Sequence, residues 1–320
     1  MTKSRGGASC CLAPKENVMK INLFKILMLC LLASLMFFAV SCTTTPSSES
    51  KTDSEEESTF ESQIEEKNYD LSNFYYEMTS DTTCTITGVK DAFVTDVYIP
   101  SCVTKIEADV FVDCINIQRV HTSSLEAWCN IEFEMDFENN IIFSNPMVMA
   151  YLNNSFSELI VGDELLNELV IPEGVTEIKQ ASFIGCASVT SIVLGNNVKS
   201  IGNFAFLSCV GLTNVIIGDD VTAIGSSAFA GCTSLISVII PDSVTIIGDY
   251  AFEYCTSLTS VVIPNSVTTI GMNVFADCAS MKYNEYGNCK YLGNENNPYY
   301  VLMVFTSTND NSYYIHEDTK

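Results

Sequence analysis

The chain has 320 residues, 47% of them apolar, enough to bury a large core in one or two domains. Its formal charge is −24, with 15 Lys plus Arg against 39 Asp plus Glu, and so acidic a surface repels the phosphate backbone of a nucleic acid. Two histidines, no nucleotide loop, no Ser/His/Asp constellation and no paired Cys-x-x-Cys argue against an enzyme, a metal centre or a cofactor.

Residues 1–18 do not read as part of a targeting signal and are taken as a mis-called upstream start. From Met19 the chain runs MKINLFKILMLCLLASLMFFAVSC. Lys20 and Lys25 precede an apolar run from Ile26 to Val40, 15 residues broken only by Ser34. A membrane-spanning helix needs roughly 20 apolar residues, so 19–41 has the order and length of a signal peptide. An uncleaved anchor is the competing reading. AVSC resembles a bacterial lipobox, which implies acylation of Cys42 and a lipid-anchored mature N-terminus there. Residues 42–70 are rich in Ser, Thr and Glu, with little to bury, and read as an acidic disordered tether. Their glutamate run reads as a solvated charge run rather than a calcium site. Without the segment before Cys42, which holds five bases and one acid, 10 bases and 38 acids remain, a charge of −28.

The main signal is internal repetition. IPEGVTEIKQASFIGCASVTSIV (171–193), LGNNVKSIGNFAFLSCVGLTNVI (194–216), IGDDVTAIGSSAFAGCTSLISVI (217–239) and IPDSVTIIGDYAFEYCTSLTSVV (240–262) are each 23 residues long, without gaps. A fifth unit opens with IPNSVTTIGMNVFADCASM at 263, and IPSCVTKIEADVFVDCINIQRVH (99–121) is an outlying copy. Phe111, Phe183, Phe206, Phe229, Phe252 and Phe275 share one slot. Cys114, Cys186, Cys209, Cys232, Cys255 and Cys278 share another.

This pattern resembles the BspA-like class of bacterial leucine-rich repeats found in surface proteins. The resemblance implies a β-rich right-handed solenoid of parallel strands with short helical or 3₁₀ turns and a 23-residue repeat over 99–285. Residues 71–98 contain YEMTSDTTCTITG, similar to the capping hairpin of such domains. Physics points the same way: a unit this short cannot bury its own apolar face, whereas stacked copies bury one continuous core. In SLTSVVIP, Leu258, Val261 and Ile263 have inward spacing. VTIIG supplies a second short strand. The glycines that follow it, Gly202, Gly225, Gly248 and Gly271, mark a corner that requires either positive φ or close backbone approach. Pro241 and Pro264 end a strand, where a missing N–H is tolerated.

The cysteine slot invites three readings. Metal needs ligands converging from several directions, and the repeats offer none. Disulfides need Cβ atoms near 3.8 Å, whereas rungs of a parallel ladder stay about 5 Å apart. A reduced packing ladder is therefore expected, each thiol acting as a small hydrophobe. Cys84, Cys102, Cys129 and Cys289 fall outside the slot and receive no assignment.

Between 122 and 170 the register breaks, and this stretch, which carries Trp128, is expected to form an irregular, protruding insertion that is either a binding site or plain surface loop. Residues 286–320 are rich in Tyr and Asn. Residues 286–314 read as a makeshift cap, and YYIHEDTK at the end as the opening of a truncated repeat.

If the inward set is right, Thr190, Ser191, Val193, Thr213, Asn214, Ile216, Ile236, Ser237, Ile239, Thr259, Ser260 and Val262 face outward. They form an uncharged, partly apolar face, which is either an adhesive surface or a product of β-propensity alone. The leading functional reading is a non-enzymatic, surface-anchored protein-binding module. The family resemblance implies adhesion to host matrix proteins or to other cells, with the membrane reached through the lipid and nucleic acid excluded. A periplasm-facing scaffold and a truncated non-functional copy are the alternatives.

Overall fold

The computed structural model describes residues 71–134, 145–147, 158–286, 289–293, 296 and 301–305. The expectations placed on residues 1–70, acylation of Cys42 among them, and on 306–320 lie outside these residues. No helix among the described residues is long and apolar enough to cross a membrane.

After a 3₁₀ turn at Leu71–Asn73, β1 (Phe74–Met78) and β2 (Cys84–Val89) form an antiparallel hairpin. Beyond it, β3 (Asp96–Ile99) and β4 (Val103–Ile106) begin two parallel sheets. β5 (Arg119–Thr122) pairs with β3, and β6 (Glu132–Phe133) pairs with β4, which also pairs with β2. Between β5 and β6 lies α1 (Leu125–Asn130), capped by Ser124, whose Oγ accepts the Ala127 N–H at 3.2 Å. β7 (Glu158–Val161) extends the β3–β5 sheet, and β8 (Glu164–Leu165) folds back on β7 antiparallel. Gly162 makes that reversal at φ +62°, a conformation costly for a residue with a Cβ.

The described parts of 122–170 therefore belong to the stack. Trp128, expected on a protruding loop, is fully buried. The sequence pattern missed it because a six-residue helix replaces the phenylalanine turn here and shifts the spacing.

From residue 168 onward the coils are regular. β9 (Glu168–Val170), β11 (Ser191–Val193), β13 (Asn214–Ile216), β15 (Ser237–Ile239) and β17 (Ser260–Val262) form the first wall. β10 (Glu177–Ile178), β12 (Ser200–Ile201), β14 (Ala223–Ile224), β16 (Ile246–Ile247) and β18 (Thr269–Ile270) form the second. Pairing joins residues one repeat apart, as in Ile192↔Val215↔Val238↔Val261. Each wall alternates because its strands are extended: Val215, Val238 and Val261 are buried while their neighbours on either side are exposed.

The third wall is the AFxxC turn. It contains bonds between residues three apart, such as Cys186 N–H to Phe183 O at 3.2 Å, yet it does not wind into a 3₁₀ helix. Two residues per coil hold positive φ and break the winding. One sits two before the phenylalanine (Ala181, Phe204, Ser227, Tyr250, Asn273) and one two after it (Gly185, Ser208, Gly231, Tyr254, Asp277). Left-handed backbone costs a non-glycine residue about 1 kcal/mol. That cost is offset here by bonds to the next coil: the N–H groups of Phe183, Phe206, Phe229 and Phe252 donate to Ala205, Ala228, Ala251 and Val274 at 2.8–2.9 Å.

At the corner after the second wall, close approach decides the matter. A Cβ on Gly202, Gly225 or Gly248 would lie 2.5–2.6 Å from backbone of the preceding coil, and none of these glycines has positive φ. At the far end, β19 (Asn284–Tyr286), β20 (Cys289–Leu292) and β21 (Val301–Phe305) form an antiparallel sheet. Ile263 N–H donates to Gly293 O at 3.2 Å, tying that sheet to the last strand of the first wall.

Candidate protein-binding face

The outer surface of the first wall is built from two rows in strict parallel register. One row runs Glu168, Ser191, Asn214, Ser237 and Ser260; the other runs Val170, Val193, Ile216, Ile239 and Val262. In the apolar row Val170 is 59% exposed, Ile216 53%, Ile239 78% and Val262 54%, with Val193 half-buried. Glu168 is the one charge on these five strands, at the first of them.

Preceding the strands is a third row: Thr190, Thr213, Ile236 and Thr259. The threonine hydroxyls donate to the carbonyls of Asn167, Thr190 and Ile236 at 3.2, 3.0 and 3.2 Å, so they serve the scaffold. Ile236 interrupts this row and is 54% exposed, lying beside Ser237 and Ile239. The twelve residues expected to face outward thus lie on one surface, of which Ser191, Val193 and Thr259 are half-buried and the rest exposed.

Behind the face lies the ladder. Phe183, Phe206, Phe229, Phe252 and Phe275 stack with ring centroids 5.2–5.5 Å apart and planes within 16° of parallel. Phe111 shares their slot but meets Phe74 edge-on at 6.4 Å, because the hairpin, not another repeat, precedes it. Cys114 and Cys186 are buried like the others. The later thiols do more than fill space. Cys209, Cys232, Cys255 and Cys278 donate to Phe183, Phe206, Phe229 and Phe252 carbonyls at 3.1–3.3 Å. Burial pushes the Cys186 and Cys278 thiols up to about 12 and raises Cys209, Cys232 and Cys255 well above the ordinary range. These thiols stay protonated at neutral pH and are poor nucleophiles.

On the N-terminal sheet the same two rows change character. The slots of Glu168 and Val170 are filled in β3 by Asp96 and Tyr98, and in β5 by Arg119 and His121. Arg119 donates to both Asp96 oxygens, at 2.6 and 3.1 Å, and His121 Nε2 lies 3.2 Å from Oδ1. The Arg119 hydrogen bond is the main reason the Asp96 carboxyl is held at about 2. Tyr98 and His121 stack at 4.2 Å. Reading 99–121 as a repeat puts His121 in the slot of Val193, so the register of that copy carried the information.

No group of His, Cys, Asp and Glu among the described residues is arranged to hold a metal. A shallow depression of about 400 Å³ lies on the second wall between Phe133, Lys179, Gln180 and Asn203, where β6 meets the first regular coil.

The model of the BspA type leucine rich repeat region matches residues 89–160 and 155–282, in six copies. A leucine-rich repeat protein of T. pallidum shows 25% identity and a TM-score of 0.44, over 66% of this chain and 88% of that one. A leucine-rich cell surface protein of Faecalibacterium prausnitzii shows 19% identity and a TM-score of 0.36, over 68% and 95%. A leucine-rich repeat protein of Bacteroides ovatus shows 20% identity and 0.35, over 67% and 70%. No curated protein sequence matches the chain.

Proposed function

Because this chain belongs to the BspA-type leucine-rich repeat family, we propose that it is a non-enzymatic protein-binding module, displayed on the bacterial surface through a lipid on Cys42, that adheres to host matrix proteins or to other cells. The observation that carries this reading is the uncharged apolar row Val170–Val193–Ile216–Ile239–Val262 on a chain of charge −24. The chain's 39 acids lie almost entirely off this row, and their charge repels anionic surfaces. A strip free of charge and five strands wide can bury apolar area against a partner without stripping water from ions. Strands give it rigidity, so little conformational entropy is lost on docking.

Cells displaying the full chain are tested for adhesion to immobilised matrix proteins. Replacing Ile216 and Ile239 together by Lys reduces adhesion at least tenfold. Ile246→Lys, an exposed isoleucine on the second wall (45% exposed), leaves adhesion unchanged. Equal loss from both variants would remove the face from consideration. Protection of the repeats from protease added to intact cells would favour a periplasm-facing scaffold instead.

A further inference from the structure

Two cysteines outside the ladder meet at the N-terminal end of the stack. Cys84 opens β2 and is completely buried; Cys102 immediately precedes β4 and is half-buried. Their sulfurs are 3.6 Å apart. The backbone already joins them: Cys84 N–H donates to Cys102 O at 2.9 Å, and Cys84 is the register partner of Val103. Four of the ladder thiols differ, Cys209, Cys232, Cys255 and Cys278 each being aimed at a carbonyl of the preceding coil.

We propose that Cys84 and Cys102 are a redox site that closes into a disulfide in an oxidising compartment and staples the capping hairpin to the first parallel strand. The sulfurs must approach to about 2.05 Å, a movement of side-chain rotation between strands already in register. Cys102, the more accessible thiol, loses its proton to solvent and attacks one sulfur of an external disulfide, such as oxidised glutathione. One glutathione thiolate leaves and a mixed disulfide forms at Cys102. Cys84 gives up its proton, attacks the Cys102 sulfur, and expels the second glutathione thiolate. The protein loses two electrons and two protons; the external disulfide becomes two thiols. This order agrees with the Cys84 thiol being pushed up to about 12, by burial first and then by Cys102: it is a poor nucleophile toward a disulfide in solution and attacks only once the mixed disulfide on Cys102 holds its target beside it.

The location gives the bond a purpose. Repeats are held mainly by their neighbours, so an end coil with a neighbour on one side only is the first to fray. The bridge closes a loop of 18 residues across that end, which restricts the unfolded chain. The staple works whatever partner the first wall binds.

The full chain is equilibrated in glutathione redox buffers and mapped with trypsin without reduction. Cleavage after Lys67, Lys90 and Lys105 puts Cys84 in peptide 68–90 and Cys102 in peptide 91–105. In the oxidised protein these two peptides run as one linked mass, while Cys186, Cys209, Cys232, Cys255 and Cys278 still alkylate after denaturation. The thermal midpoint of the oxidised form rises by about 5 °C, the shift expected of a bridge of this loop length in a domain this large. Cys102→Ser and Cys102→Ala both abolish the linked mass and the rise, with an unchanged circular dichroism spectrum. Peptides 68–90 and 91–105 remaining separate in fully oxidising buffer would overturn the proposal. So would linkage of either to a ladder cysteine, or a bridge without any thermal shift.

Discussion

Glu253 sits directly after a ladder phenylalanine, where the other regular coils carry Ile184, Leu207, Ala230 and Ala276. It is 7% exposed, and its Oε2 has no hydrogen-bond partner. Burial, followed by the nearby Asp277 charge, pushes its carboxyl up to about 7 from an ordinary 4.5. The folded state therefore holds an extra proton between those values, and stability falls as pH rises from 4.5 to 7. Glu253→Gln removes the charging penalty. The variant is expected to match the parent below pH 4.5 and to exceed it by about 1–2 kcal/mol near pH 8, after allowance for screening at the edge of the wall. Urea melts at the two pH values check this, and an equal gain at both would show that packing, not charge, is responsible. The ladder cysteines show how far a sequence interval reaches at this scale. Recurrence every 23 residues is enough to read a buried rung, but the acceptor of the Cys209, Cys232, Cys255 and Cys278 thiols is a carbonyl 26 residues earlier. A bond between coils depends on how the turns overlap, which spacing within one repeat does not express.

The corner glycines act at the scale of the element. The strands of the second wall are only two residues long, so the close approach at the corner matters as much as the ladder bonds. Gly225 N–H donates to Ile201 O at 2.8 Å, and a Cβ there would lie 2.6 Å from Gly202 C and 2.7 Å from Asn203 N. Backbone cannot retreat from such a contact as a side chain can. Gly225→Ala is expected to cost about 1–3 kcal/mol, in the range of overpacked cores, with amide protection lost at β12, β14 and β16. Gly195→Ala serves as its control, since a Cβ at Gly195 meets nothing within 4 Å; its effect should stay within about 0.5 kcal/mol. Hydrogen exchange and denaturant melts distinguish the two. That these glycines mark a corner was legible from sequence. Which demand they answer was not, since positive φ falls two residues later, on Phe204, Ser227 and Tyr250, where residue type gives no warning.

Across the whole molecule, the question is how an irregular N-terminal block is joined to a regular array. In the array each third-wall turn receives N–H donors from the coil before it, so the first regular coil has carbonyls with no such coil to serve them. Trp128 and Asn145 take over that role. Trp128 Nε1 donates to Ser182 O at 3.0 Å, and Asn145 Nδ2 donates to Ala181 O and Ser182 O at 2.9 and 3.1 Å. Trp128 also packs on Phe133, with centroids 5.3 Å apart, and Gln180 Nε2 reaches Phe133 O at 3.2 Å. The repeat and its fold class could be read from the phenylalanine and cysteine slots; this plug could not, because it is assembled from single residues 36–54 positions away from their acceptors. Trp128→Phe keeps most of the buried ring and deletes the donor. It is expected to cost about 1–2 kcal/mol, the usual effect of a lost buried hydrogen bond. In a stack held by nearest-neighbour interfaces, the loss should appear first beside the plug. Amides at 181–186 should lose protection while those at 250–255, three coils on, keep theirs. Uniform loss along all the coils would mean instead that the solenoid opens as one cooperative unit, with the junction as strong as any interface between its repeats.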